Sequence, residues 1–162
     1  KFNVNPKVVL GATKWLNLYK YSKDDNNTIS AIAHLKETGY RIVVTSPHAK
    51  ERSLENLDLS KGKIALLFGS ELNGLSDTAL SNADESIYIP TVGFTESLNI
   101  SVSAAICIQM LTSKLRNSDV NYLLPQLESN ELMLKWLRLS VKSWRSIEKR
   151  LFPVKNFTAN KQ

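Results

Sequence analysis

Three short stretches hold the side chains that could do chemistry. "TVGFTESLN" (91–99) places Glu96, Ser97 and Asn99 after a glycine, "GSELNGLS" (69–76) sets Glu71 between Gly69 and Gly74, and "TSPH" (45–48) offers Thr45 and His48. A carboxylate on flexible, glycine-flanked backbone suits a cationic or hydroxyl-rich ligand. It does not suit a phosphate. Gly69 and Gly74 have the outer spacing of G-x-x-x-x-G-K-[ST], but Leu75 and Ser76 occupy the two positions that follow. No ammonium is present there, and Glu71 would repel an anion. No G-x-G-x-x-G occurs either, so a dinucleotide fold has no support. His48 beside Pro47 reads as a turn residue.

Each stretch follows an apolar run that must position it. "RIVVT" (41–45) and "KIALLF" (63–68) are apolar without alternation, as expected of strands in a parallel sheet covered on both faces. "SIYIP" (86–90) is a third strand, and "KWLNLYKY" (14–21) reads as an outer one. "TISAIAHLKETG" (28–39) predicts a helix with Thr28 as cap, Ile29, Ile32 and Leu35 on one face, and Gly39 as its stop. "SDTALSNA" (76–83) predicts a short helix capped by Ser76. A helix over about 98–114 has almost no polar stripe and should be buried, with Ser101, Ser103, Ala104 and Ala105 allowing close approach of another backbone. After Pro125, residues 130–151 predict one long amphipathic helix. Alternating strands and helices give an α/β class, with ligands expected beyond the carboxyl ends of the strands.

At 162 residues the chain can bury a core, and 43% hydrophobic with 22% charged is ordinary globular composition. The N-terminus lacks signal-peptide anatomy and no apolar run is long enough to span a bilayer, so a cytoplasmic location is expected. One cysteine, Cys107, excludes an internal disulfide, and two histidines make a structural zinc site a poor reading. The net charge of +6 sits entirely from Ser129 onward; residues 1–128 are neutral. Lys135, Arg138, Lys142, Arg145 and Lys149 recur at steps of three and four. Such a stripe fits a polyanionic partner, and equally a solvated helix face. The opening Lys1 leads us to expect the later part of a longer polypeptide.

"ALLFGSELNGLS" followed by "IPTVGFTESLNISVSAA" resembles the second and third motifs of the SPOUT superfamily of RNA methyltransferases, closest to its TrmH branch of tRNA and rRNA ribose 2′-O-methyltransferases. "GATKW" and "TSPH" resemble the linking segments, and the similarity runs from about Val8 to Leu115. The resemblance implies a deep trefoil knot in the α/β domain, S-adenosylmethionine held by the three loops, and an obligate homodimer. It places Thr45, Gly69, Glu71, Ile89, Leu98 and Asn99 at the cofactor, and Ser97, Asn99 and Glu71 at the chemistry. The tail stripe is then the face for RNA, most naturally tRNA, and no metal is needed. Taken singly, Glu71 could neutralise a helix start, Asn99 could be a polar first-turn residue and Ser97 its cap.

The domains expected are 1–116, binding cofactor, and 117–162, a linker and basic helical extension. The family's first motif, with an Asn and an Arg that activates the ribose hydroxyl, would lie before Lys1. The chain alone is therefore expected to bind cofactor and methylate poorly. A ribosomal RNA substrate, or a non-catalytic RNA-binding module on the same scaffold, are the other readings.

Overall fold

The computed structural model describes residues 12–47, 52–94 and 97–152. His48, Thr95 and Glu96 lie outside the described residues. Three parallel strands form one sheet: β1 (Tyr40–Thr45), β2 (Lys63–Leu67) and β3 (Glu85–Ile87). Their order is β2-β1-β3, with Val44 opposite Leu67 on one side and Ser86 on the other. The central strand is the most buried, as a sheet covered on both faces requires. The outer edge of β2 has no ladder partner among the described residues.

Helix α1 (Asn27–Glu37) and helix α2 (Asp77–Ser81) pack together, and α1 lies on β1. Asn26 caps α1, not Thr28: its side-chain oxygen accepts from Ile29 N at 3.1 Å. The asparagine precedes the apolar periodicity by three residues, the spacing a cap needs to reach the N3 amide. Gly39, at φ +83°, ends the helix in the left-handed region, where a side chain would be strained. Ser76 caps α2 through Ala79 N at 3.3 Å, as expected.

Helix α3 (Ile100–Arg116) covers the other face. Val43 and Ile87 from the sheet meet Cys107 and Leu111 from α3 and Leu54, Leu57 and Leu59 from the β1–β2 connection. Burial raises the Cys107 thiol pKa, so it acts as a small apolar group. The connection takes an indirect path. Residues 52–54 run beside the end of β3, with Tyr88 N donating to Arg52 O at 3.0 Å and Leu54 N to Tyr88 O at 2.9 Å. The chain then returns to β2 on the opposite side of β1. Lys114, near the end of α3, fastens this segment by donating to the carbonyls of Glu55 and Leu57, both at 2.7 Å.

Three expectations are corrected. Residues 14–21 are not a strand: a 3-10 turn spans Ala12–Trp15 and no regular element follows. A run without alternation has no apolar face to hold it on a sheet, and it finds no ladder partner among the described residues. The long helix is two, α4 (Gln126–Ser140) and α5 (Trp144–Leu151), broken where Val141 turns extended and Ser143 adopts φ +60°. Helix α3 is buried only along one stripe, at Cys107 and Leu111, while Ile100, Val102 and Ile108 are exposed. Among the described residues the 54–59 segment and the sheet supply most of its cover, too little for a helix apolar on most of its circumference.

By contacts, the chain divides into Lys20–Tyr122 and a second unit made of Lys1–Tyr19 with Leu123–Gln162. In the second unit, Trp15 and Trp136 meet edge to face, ring centroids 5.5 Å apart. No described helix is long and apolar enough to cross a membrane.

Candidate functional site

The carboxyl ends of all three strands open into one cavity of about 810 Å³, within the range of small-molecule sites. Thr45, Gly69, Glu71, Ile89, Ser97 and Leu98 all line it. Thr45 is turned inward at the end of β1, its hydroxyl donating to Leu67 O at 3.1 Å. Asn99 is not a lining residue. It holds one that is: its amide nitrogen donates to Glu71 Oε1 at 2.8 Å, while its oxygen accepts from Ser101 N at 2.9 Å and caps α3. Asn99 is thus the cap itself, a role that sequence reasoning had considered for Ser97, and also the link between the two motif loops.

The 69–76 loop is a tight antiparallel turn. Ser70 and Gly74 exchange both backbone hydrogen bonds at 2.9 Å, and the Ser70 hydroxyl accepts from Asn73 N at 3.2 Å. Gly74 needs its left-handed φ of +62°. Gly69 is required for a different reason. A Cβ there would sit 2.6 Å from Gly74 Cα and 2.5 Å from Leu75 N, closer than any side chain tolerates. The loop can close only over a bare backbone, and its closure carries Glu71 to the cavity wall.

The cavity lining is apolar at Phe68, Leu72, Leu75, Leu80 and Ile100 and polar at Ser46, Ser70, Asn73 and Ser103. Glu71 is the one charged side chain among the described lining residues. This donor set fits a compact cation bearing hydroxyls and a flat apolar part, and disfavours a phosphate. Phe68, Tyr88 and Ser103 were missed from the sequence. Their only signal was adjacency: Phe68 precedes Gly69, Tyr88 precedes Ile89, and Ser103 lies one helical turn beyond Asn99.

Two arginines are accounted for elsewhere. Arg41 and Arg52 both pair with Glu85, and Arg41 also donates to the Asp58 carbonyl. Neither lines the cavity. Among the described residues, no three His, Cys, Asp or Glu side chains gather as metal ligands.

The predicted basic stripe is divided by the break at Ser143. Lys135 donates to Asn17, Arg138 pairs with Glu148, and the Trp144 ring carries the guanidiniums of Arg138 at 5.2 Å and Arg145 at 4.8 Å. Lys142 and Lys149 show no such partner among the described residues. Two cations on one ring and one carboxylate form a local network within this unit, so part of the stripe serves the α4–α5 corner.

Comparison with known proteins bears on the same loops. Residues 3–109 match the family model described as the SpoU rRNA Methylase family. The tRNA (guanosine(18)-2'-O)-methyltransferase of Borreliella burgdorferi is 45% identical over 148 residues, 91% of this chain and 66% of that protein. Its namesake in Thermus thermophilus is 36% identical over 98 residues, 60% of this chain and 48% of that protein. The crystal structure of an A. aeolicus TrmH/SpoU tRNA modifying enzyme superposes with a TM-score of 0.63 at 25% identity, covering 88% of this chain and 71% of that one. The chain therefore spans about half to two thirds of the length of these curated relatives. With both motif loops inside the matched region and the parallel α/β fold shared with a TrmH/SpoU structure, the chain belongs to the SpoU rRNA Methylase family.

Proposed function

We propose that this chain is the cofactor-binding body of an S-adenosylmethionine-dependent RNA ribose 2′-O-methyltransferase acting on a guanosine of tRNA. The observation that carries the reading is the Glu71–Asn99 hydrogen bond, which joins two loops 28 residues apart at a cavity whose one charged group among the described lining residues is a carboxylate. Two relatives bear the name of a tRNA guanosine 2′-O-methyltransferase, which supports that substrate over ribosomal RNA.

The lining fits the cofactor: Ile89 and Leu98 supply apolar contact for a flat ring, and Glu71 a counter-charge for a cation. Thr45 and Gly69 provide backbone at the strand ends, and Asn99 fixes Glu71. Bound S-adenosylmethionine supplies a methyl group on a positively charged sulfur. Ser97, which lines the cavity, would orient the ribose hydroxyl by hydrogen bonding, and Asn99 acts through the Glu71 carboxylate that it holds, so that positioning lowers the entropic part of the barrier. A ribose hydroxyl is a weak acid, so its proton needs an acceptor; Glu71 is the candidate within the described lining, because Arg41 and Arg52 are held by Glu85.

Three features complete the proposal. Residues 52–54 lie on the outer side of the end of β3 while β2 lies beyond β1, and this order supports the trefoil knot. The exposed Ile100, Val102 and Ile108, beside the small Ser101, Ala104 and Ala105, support a homodimer through α3. Lys142, Arg145 and Lys149, in the basic unit, support contact with RNA phosphates in the cytoplasm. The domains we propose remain 1–116 for the cofactor and 117–162 for the basic extension.

Calorimetry should show binding of S-adenosylmethionine and none of ATP or NAD, and the full-length protein should methylate tRNA at a ribose. Tight ATP or NAD binding with no S-adenosylmethionine binding would overturn the assignment. Light scattering should give twice 18.2 kDa at micromolar concentration; a monomer would remove the dimer from the proposal.

A further inference from the structure

We propose that Phe94 is the platform on which the nucleobase of the target nucleotide stacks, with Leu72 as the apolar edge facing it. This rests on the reading that the cavity serves RNA methylation. The 91–97 loop begins and ends in the cavity wall, at Thr91 and Ser97, and Gly93 turns the chain between them at φ +102°. At that turn Phe94 is fully exposed and Val92 is 100% exposed; on the neighbouring loop Leu72 lines the cavity and is 95% exposed. The two loops thus carry Leu72 on one side and Val92 and Phe94 on the other into solvent, while their polar groups Glu71 and Asn99 are tied to each other.

The charge at this mouth decides what such a rim can take. No Lys, Arg or His is among the described residues lining the cavity, so those residues offer no cation to a phosphate. What the described lining offers a nucleotide suits its base and its sugar. Every base presents a flat π face, and an aromatic side chain accepts it without reading sequence. Phe94 lies three residues before Ser97, which lines the cavity, so a base stacked on Phe94 would leave its ribose on the Ser97 side of the mouth. A second copy of the chain could also cover an exposed Phe. However, Phe94 and Leu72 belong to the loops at the cavity, whereas the apolar face suited to a subunit contact is on α3.

The test compares Phe94→Ala, Phe94→Leu and Phe94→Trp in the full-length protein. The measurements are methyl transfer to tRNA, S-adenosylmethionine affinity and mass in solution. Stacking predicts that alanine and leucine both lower kcat/KM for tRNA by roughly 5- to 150-fold, the range of a lost base–aromatic stack. Tryptophan should retain activity, and cofactor affinity and mass should not change. Leucine performing like wild type, or alanine dissociating the oligomer, would show an apolar subunit contact and overturn the proposal. Full activity in the alanine variant would refute stacking alone. A wild-type protein that neither binds S-adenosylmethionine nor methylates RNA would refute the underlying reading as well.

Discussion

Asn99 holds two partners with the two ends of one amide: its oxygen accepts from Ser101 N and its nitrogen donates to Glu71. Only a side chain carrying both an acceptor and a donor can do this. Asn99→Asp keeps the acceptor for the cap and replaces the donor with a carboxylate facing Glu71. We expect unfolding stability to change by no more than about 1 kcal/mol, the scale of a cap. S-adenosylmethionine affinity should fall about tenfold, consistent with a misplaced charge-assisted hydrogen bond of roughly 1.5 kcal/mol. Calorimetry and thermal unfolding on the same sample separate the two effects, and equal cofactor affinity would dismiss the link. Gly69→Ala is a harsher change, since its Cβ meets backbone that cannot rotate away. The 69–76 turn must open, with loss of cofactor binding and a cost of about 1–3 kcal/mol from overpacking. A variant with unchanged melting temperature and affinity would show that the turn is not closed in solution.

Among the elements, the strand runs at 41–45 and 63–68 were legible because residues buried on both faces leave no alternative to a covered parallel sheet. The Ser76 cap and the Gly39 stop were legible because each is a local rule. The cavity at the strand ends followed, since its lining is strand ends plus two loops contiguous in sequence. What could not be read was set by distant partners: the failure of 14–21 to pair, the exposure of α3, and the Glu71–Asn99 link across 28 residues. The break at Ser143 left only a faint mark, two serines and a β-branched valine inside an otherwise helical pattern. It matters for the basic stripe, because Arg138 is committed to Glu148 and Trp144 whereas Lys142 has no such commitment. Replacing Lys142 and Arg145 by alanine should weaken tRNA binding and reduce the log–log salt slope by roughly one unit per lost phosphate contact. S-adenosylmethionine affinity should be unaffected. An unchanged salt slope would mean that these charges only solvate the helix.

For the molecule as a whole, acid stability reports on how its layers are tied. Asp84 accepts from Ile42 N at 2.7 Å and from Lys36 Nζ at 2.9 Å, so one carboxylate links β1, α1 and the turn entering β3. The Ile42 amide, then the Lys36 ammonium, hold its carboxyl below the usual range. A depressed native pKa means that the unfolded chain binds the proton more readily. The stabilisation is therefore complete above the ordinary carboxylate pKa, about 4, and is lost as pH falls through the lower native value. Asp84→Asn retains an acceptor for Ile42 but removes this titration. Denaturant midpoints measured from pH 6 downward should fall less steeply in the variant than in the wild type; parallel curves would assign acid sensitivity to other groups.

The outer edge of β2 sets a further property of the whole molecule. Among the described residues no strand pairs with the outer side of Ile64, Ala65, Leu66 and Leu67, which leaves its amides and carbonyls to a further strand. Any extended segment of matching polarity can complete it, and the hydrogen bonds gained are insensitive to ionic strength, unlike contacts to a polyanion. Left uncovered, this seam would promote association at high salt, where the mutual repulsion of the basic tails is screened.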